Sequence, residues 1–233
     1  MKVLVIAAHP DDEAFGMGGT IAKHSERKDE VYVCVLSEST SSQYKHLPEN
    51  EIEKLKKSIK GECEKANKIL GVKRVYFFDF PDMKLDTLPH VDVNSCIEKC
   101  ILEVKPDIVY THFIDDLNKD HRIVSESTLV AVRPIVGKGK SHAKTNIKKV
   151  LFYEIPSSTE WIFYEHMFKP NFFVNITNTL GKKMKAIESY RRELRRFPHP
   201  RSLEAVKILA KARGVAIGVK AAEAFVLVRE IEQ

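Results

Sequence analysis

Long apolar runs are missing from this chain, and so are paired cysteines, internal repeats and low-complexity tracts. No stretch approaches the ~20 consecutive apolar residues that a bilayer-crossing helix needs. The apolar opening, Met1 to Ala8, is too short for a secretory signal, so the expectation is a cytoplasmic protein whose mature form starts at its first strand. Cysteines number only 4 in 233 residues, with neither Cys-x-x-Cys spacing nor the density of a disulfide framework, which points to a reducing compartment. Cys96 and Cys100 share a helical face amid Ile97, Ile101 and Leu102, so packing is their expected role. There is 1 tryptophan, Trp161, and it stands out as a candidate sugar platform for that reason.

What is present describes a globular enzyme-sized domain. Hydrophobic residues make up 43% and charged residues 30%, and a chain of this length encloses one substantial core, so residues 1–233 are read as a single domain. Apolar runs at Lys2 to Ala8, Glu30 to Leu36, Arg74 to Phe78, Asp107 to Thr111 and Lys149 to Glu154 read as strands. Helical periodicity marks Ile21 to Arg27, Glu51 to Leu70, Val91 to Val104, Arg122 to Arg133 and Leu203 to Gly214, and Glu223 to Arg229 reads as a closing strand. This alternation predicts an α/β fold, a Rossmann-like, mostly parallel sheet flanked by helices. In the second helix Ile52, Leu55, Ile59, Cys63, Ala66 and Leu70 form one stripe, leaving its lysines as a solvated face. Glycines and lysines over Gly137 to Asn146 predict a mobile surface segment.

The formal charge is +6, and the densest basic run is Tyr190-Arg191-Arg192-Glu193-Leu194-Arg195-Arg196-Phe197-Pro198-His199-Pro200-Arg201. Neither interleaved aromatics nor a groove-reading element accompanies it, so no nucleic-acid partner is expected. An anionic group on a small-molecule substrate would suit these guanidinium forks, with Arg196 as a candidate contact; the bland alternative is a solvated helix end.

Two polar clusters follow strands. His9-Pro10-Asp11-Asp12-Glu13 comes directly after the first, and His112-Phe113-Ile114-Asp115-Asp116-Leu117-Asn118-Lys119-Asp120-His121 after the fourth. Taken alone, the first could merely cap the next helix. Parallel strands, however, end on the same edge of a sheet, so both loops can meet over one crevice. His9, Asp12 and His121 then offer three ligands with an open fourth position, the pattern of a catalytic Zn²⁺ site, while Asp11 is left to move protons. Asp120 is placed to orient one of these groups.

These residues resemble the LmbE-like (PIG-L) family of zinc-dependent N-acetylglucosaminyl deacetylases. Gly16-Met17-Gly18-Gly19-Thr20, Lys68-Ile69-Leu70-Gly71-Val72, Phe80-Pro81-Asp82 and Ala221-Ala222-Glu223-Ala224-Phe225 match further family landmarks in order. The resemblance implies that His9, Asp12 and His121 bind zinc, that Asp11 is the general base, and that the products are acetate and a free amino sugar. It implies an acetylated amino-sugar substrate, and leaves oligomeric state open.

Two departures stand out. Many relatives carry a histidine where this chain has Asn118, which can donate a hydrogen bond to an oxyanion but cannot exchange a proton near pH 7. His112 and His199 are the candidates for the missing acid, against the alternative that each is structural. Leu36 to Tyr44 is rich in small hydroxylated residues where relatives often have glycine, implying an altered pocket rim or merely a loop. Glu223 is expected to shape the pocket or hold an arginine. Hydrolysis of another amide, or zinc-dependent sugar binding without turnover, remain alternatives.

Overall fold

The computed structural model describes residues 1–44, 46–136, 143–161 and 164–232. Its organising element is β1 (Lys2–Ala7), whose side chains from Val3 onward are fully buried. Alternation sends Val3 and Val5 into one core and Leu4 and Ile6 into the other. Burying such aliphatic side chains stabilises by about 1.5–3 kcal/mol each, and both faces contribute.

Around β1 lie β2 (Glu30–Ser37), β3 (Arg74–Phe80), β4 (Ile108–His112) and β7 (Lys149–Tyr153), all parallel, with β9 (Ala222–Glu230) antiparallel to both β7 and the edge strand β8 (Phe172–Asn175). The sheet order is β3-β2-β1-β4-β7-β9-β8, an α/β fold with a seven-stranded, mostly parallel sheet. The chain runs outward from β1 through β2 and β3, then returns to the other side of β1 as β4. Loops leaving β1 and β4 therefore flank the point where strand order reverses, the place where ligands collect in open α/β sheets.

Helices cover both faces. On one side α1 (Asp12–Glu26) packs against α2 (Glu49–Leu70) and α5 (Leu180–Ile187), with α6 (Leu203–Val215) over β9; on the other α3 (His90–Val104) packs against α4 (Lys119–Ala131). The α2 stripe buries Ile59, Cys63, Ala66 and Leu70 as its periodicity requires. Cys34, Cys63 and Cys100 are buried and Cys96 half-buried, all as free thiols. No helix among the described residues is long and apolar enough to cross a membrane.

The structure departs from sequence expectation mainly at α1, which begins at Asp12 instead of Ile21 and kinks at Met17. Its glycines, poor helix formers, let the helix lie hard on the sheet: a Cβ at Gly16 would sit 2.6 Å from Tyr153 Cδ2. Just past the kink, Glu223 accepts two mid-helix amides, Gly19 N–H at 2.9 Å and Thr20 N–H at 2.6 Å. Lys183 Nζ balances that buried carboxylate at 2.7 Å, so the cation beside Glu223 is a lysine and not the arginine expected. The elements β8 and α5, only 4 and 8 residues long, are not among the expected ones. Of the segment expected to be mobile, 137–142 lie outside the described residues, while Ala143–Lys144 forms β6 against β5 (Ile135–Val136).

Candidate active site

The loop after β1 brings His9, Asp11 and Asp12 to the sheet edge. Asp11 takes φ 123°, a backbone state disfavoured for an L residue, and occupies the N-cap position of α1 without capping it. Its backbone is fully engaged: its N–H bonds Glu13 Oε2 at 3.1 Å and its carbonyl accepts from Ala14 and Phe15, both at 3.0 Å. The helix-cap alternative therefore fails for its side chain. After β4, Asn118 is the true N-cap of α4, accepting Asp120 N–H on Oδ1 at 2.9 Å. That cap sets Asp120 and His121 in the first helical turn, pointing back toward β1.

Donor atoms of His9, Asp12 and His121 all lie within 4.8 Å of one another. His9 Nε2 lies 3.2 Å from Asp82 Oδ1 and 3.3 Å from Asp120 Oδ2, while Nδ1 faces Asp12 Oδ2 at 3.4 Å. His121 repeats the arrangement, with Nδ1 at 3.1 Å from Asp116 Oδ1 and Nε2 at 3.5 Å from Asp12 Oδ1. In each ring one nitrogen is committed to a carboxylate behind it, so the nitrogen facing Asp12 is the one that an ion can take once its proton leaves, the pattern of a metal-ligating histidine. Asp12 Oδ1 is buried with no hydrogen-bond donor. Two imidazoles and one orphaned carboxylate oxygen fit a divalent ion of the zinc type. His9, Asp82 and Asp120 form a second such grouping, but Asp120 already accepts Met83 N–H at 2.8 Å and Leu85 N–H at 3.1 Å, and Asp82 accepts the Ser42 hydroxyl. These two acids orient His9.

The electrostatics follow from burial against pairing. Burial disfavours charge on His121, yet Asp12 and Asp116 outweigh it and push its pKa up to about 9. Asp12 is held well below the carboxylate range, since His121 and His112 overcome its desolvation. Burial, with Asp12 beside it, pushes Asp11 up despite the opposing guanidinium of Arg201. His112 goes down to about 4, by burial and then by the charge of His121.

His112 is fully buried, stacks on His121 with ring centroids 4.0 Å apart, and accepts Ala8 N–H on Nε2 at 2.9 Å. Its lone pair is therefore committed to the backbone, and it does not line the cleft. That cleft holds about 200 Å³ above Asp11 and Asp12, and Asn118, Asp82, Ser39 and Ser158 are in its walls. The hydroxylated stretch is a built rim: Glu38 gathers the N–H groups of Thr40 at 2.8 Å, Ser41 at 3.0 Å and Asp82 at 3.3 Å.

Several candidates are not brought to the cleft. Trp161 is 70% exposed, Arg196 is exposed, and His199 uses Nδ1 to accept Arg201 N–H at 3.0 Å; none lines the cavity. Residues that sequence reasoning did not single out are there instead. Arg201, at the end of the basic run, reaches Asp11 Oδ2 at 2.9 Å and Glu193 at 2.8 Å. Asp116, hidden in an acidic pair, holds His121, and Asp82 sat within a recognised landmark without an assigned role.

A family model described as GlcNAc-PI de-N-acetylase (PIG-L) matches residues 4–132. Diacetylchitobiose deacetylase of Thermococcus kodakarensis is 26% identical over 195 residues, 81% of this chain and 68% of that protein. The 4-oxalmesaconate hydratase of Pseudomonas putida is 27% identical over 197 residues, 80% of this chain and 72% of that protein. The solved N,N'-diacetylchitobiose deacetylase of Pyrococcus horikoshii superposes with a TM-score of 0.79 at 25% identity, over 98% of this chain and 84% of that one. With two histidines and an aspartate gathered at the crevice between β1 and β4, and with more than half its length matched, the chain belongs to the PIG-L (LmbE-like) family.

Proposed function

We propose that this protein is a zinc-dependent deacetylase that hydrolyses the acetamide of an N-acetylglucosamine-type substrate to acetate and a free amino sugar. The observation that carries the reading is the pairing of a three-donor cluster with a neighbouring acid, Asp11, whose Oδ1 is buried and unpartnered. Residues 1–233 act as one deacetylase domain, because the cleft draws on Glu193 and Arg201 as well as on the family-matched segment. The relatives named for deacetylation of diacetylchitobiose support the substrate class.

His9, Asp12 and His121 would hold the ion, which when bound would supply Lewis acidity to the attacking water and the amide carbonyl. Asp11 Oδ1 accepts the proton of that water as it attacks the carbonyl carbon, and returns it to the departing amine nitrogen as the C–N bond breaks. Asn118, its Oδ1 tied to the cap, presents its amide N–H₂ at the cleft and donates to the carbonyl oxygen as charge builds there. His112 serves neither step; it fixes the ring of His121 from behind.

The cleft wall carries Asp11, Asp12, Asp82 and Glu193, and its only Arg or Lys among the described residues, Arg201, is already paired with two of these acids. Such a wall favours a neutral sugar amide whose product is a cationic amine over a polycarboxylate, which separates this reading from the hydratase activity of the P. putida relative. The test is incubation of metal-loaded protein with a panel of N-acetyl sugars, measuring acetate and free amine together. Equal release of both, abolished by chelator and restored by zinc, is expected; intact acetyl groups across the panel would refute the reading.

A further inference from the structure

Asp11 stands where an aspartate ordinarily turns inward to cap a helix, and the first-turn amides of α1 are within its local reach. It does not do so. Two observations explain why. The Arg201 guanidinium takes Asp11 Oδ2 at 2.9 Å, while Oδ1 has no partner. Arg201 is itself fixed by Glu193 Oε2 at 2.8 Å, by its guanidinium carbon 4.9 Å from the Phe15 ring centroid, and by its N–H on His199 Nδ1 at 3.0 Å. One oxygen of the carboxylate is thus occupied from the side of the 190–201 segment, and the other is left bare.

We infer that Arg201 is the positioning residue for Asp11, holding its carboxylate off the α1 N-terminus so that Oδ1 faces the reacting water. The inference rests on the deacetylase reading above for its kinetic consequence, though not for its geometric one. In this role Arg201 acts through Asp11, the group its guanidinium contacts. It is the only Arg or Lys among the described residues that line the cleft, so it also offsets the charge of two adjacent carboxylates, Asp11 and Asp12, at a site meant to admit a cation. A planar fork suits this task, because it can meet Glu193 and Asp11 on separate nitrogens, which a lysine cannot do in the same geometry. It also explains the basic run: most of its arginines are exposed or hold neighbouring carbonyls and Glu62, whereas the last one turns inward.

The test compares metal-loaded wild type, Arg201→Met and Arg201→Lys by crystallography and by acetate-release kinetics. In Arg201→Met the Asp11 carboxylate is expected to leave its place, turning onto the α1 amides or toward the ion. With metal content unchanged, kcat falls about 10²-fold while KM stays within a few-fold, the scale expected for a misplaced reacting group. Arg201→Lys recovers part of kcat. An Asp11 carboxylate that keeps its wild-type position in Arg201→Met, or a kcat within twofold of wild type, overturns the inference. If Arg201→Met does not fold, Arg201→Lys carries the same two readouts, with the single ammonium expected to leave Asp11 partly displaced. Should the wild type release no acetate from any N-acetyl sugar, the functional reading fails, and the position of Asp11 in the variant crystals still decides the role of Arg201.

Discussion

His121 is held by Asp116 on Nδ1 at 3.1 Å, and that contact decides which nitrogen it can offer to an ion. Asp116 is fully buried and is itself fixed by Ser158 Oγ at 3.1 Å, by the Thr159 hydroxyl and by Asn118 N–H at 2.9 Å. Asp116→Asn is therefore expected to weaken zinc affinity by about 10–100-fold with the fold intact. Chelator competition, with circular dichroism as the control, checks it; unchanged affinity would remove Asp116 from the site.

Asp11 lies outside the cluster of donors, so Asp11→Asn should retain one ion per chain while acetate release drops by about 10²–10⁴-fold. Metal analysis and a discontinuous acetate assay on the same sample separate the outcomes. Full activity would show that another group takes the proton, and loss of the ion would make Asp11 a ligand.

Ion uptake by the metal-free protein should release protons. His121 has its pKa pushed up to about 9, the carboxylates of Asp12 and Asp116 outweighing burial. Below that value the ring carries a proton that an incoming ion must displace. Apparent affinity therefore falls as pH drops from 9 toward 6, about tenfold per unit for each proton displaced. Proton release measured in weakly buffered solution at pH 7 should reach at least about one per ion. Flat affinity across this range would contradict the charge state derived from the geometry.

Glycines in α1 and α2 should respond oppositely to alanine. A Cβ at Gly19 would meet three atoms of Ile176 at 2.7, 2.9 and 2.9 Å, whereas at Gly61 nothing lies within 4 Å. Gly19→Ala is expected to cost about 1–3 kcal/mol by overpacking. Gly61→Ala should add about 0.5–1 kcal/mol by relieving the entropic cost of glycine in a helix. Denaturant unfolding of the two variants tests both signs.

Much of this was legible locally. The parallel strands around β1 and the stripe of α2 follow from short-range pattern, because a buried strand must be apolar, and the sequence placed His9, Asp12 and His121 just beyond two strand ends; their gathering within 4.8 Å is a long-range outcome. The start of α1 was not, since Gly16, Gly18 and Gly19 argue against a helix by propensity and are retained for contact with Tyr153, Lys183 and Ile176. Nor was the antiparallel setting of β9 between β7 and β8, because strand direction is a property of the connections and leaves no mark in a strand's own alternation.

By itself the sequence determined that this is an α/β chain with ligand-type residues at the ends of two strands, because hydrophobic period and residue chemistry are local quantities. Only the tertiary structure decided which histidine nitrogens remain free, why His112 is spoken for by Ala8, and that Arg201, 190 positions beyond Asp11, closes on it. Those outcomes depend on distances between segments remote along the chain, and the strength of a hydrogen bond or ion pair is fixed by such distances and by the exclusion of water around them.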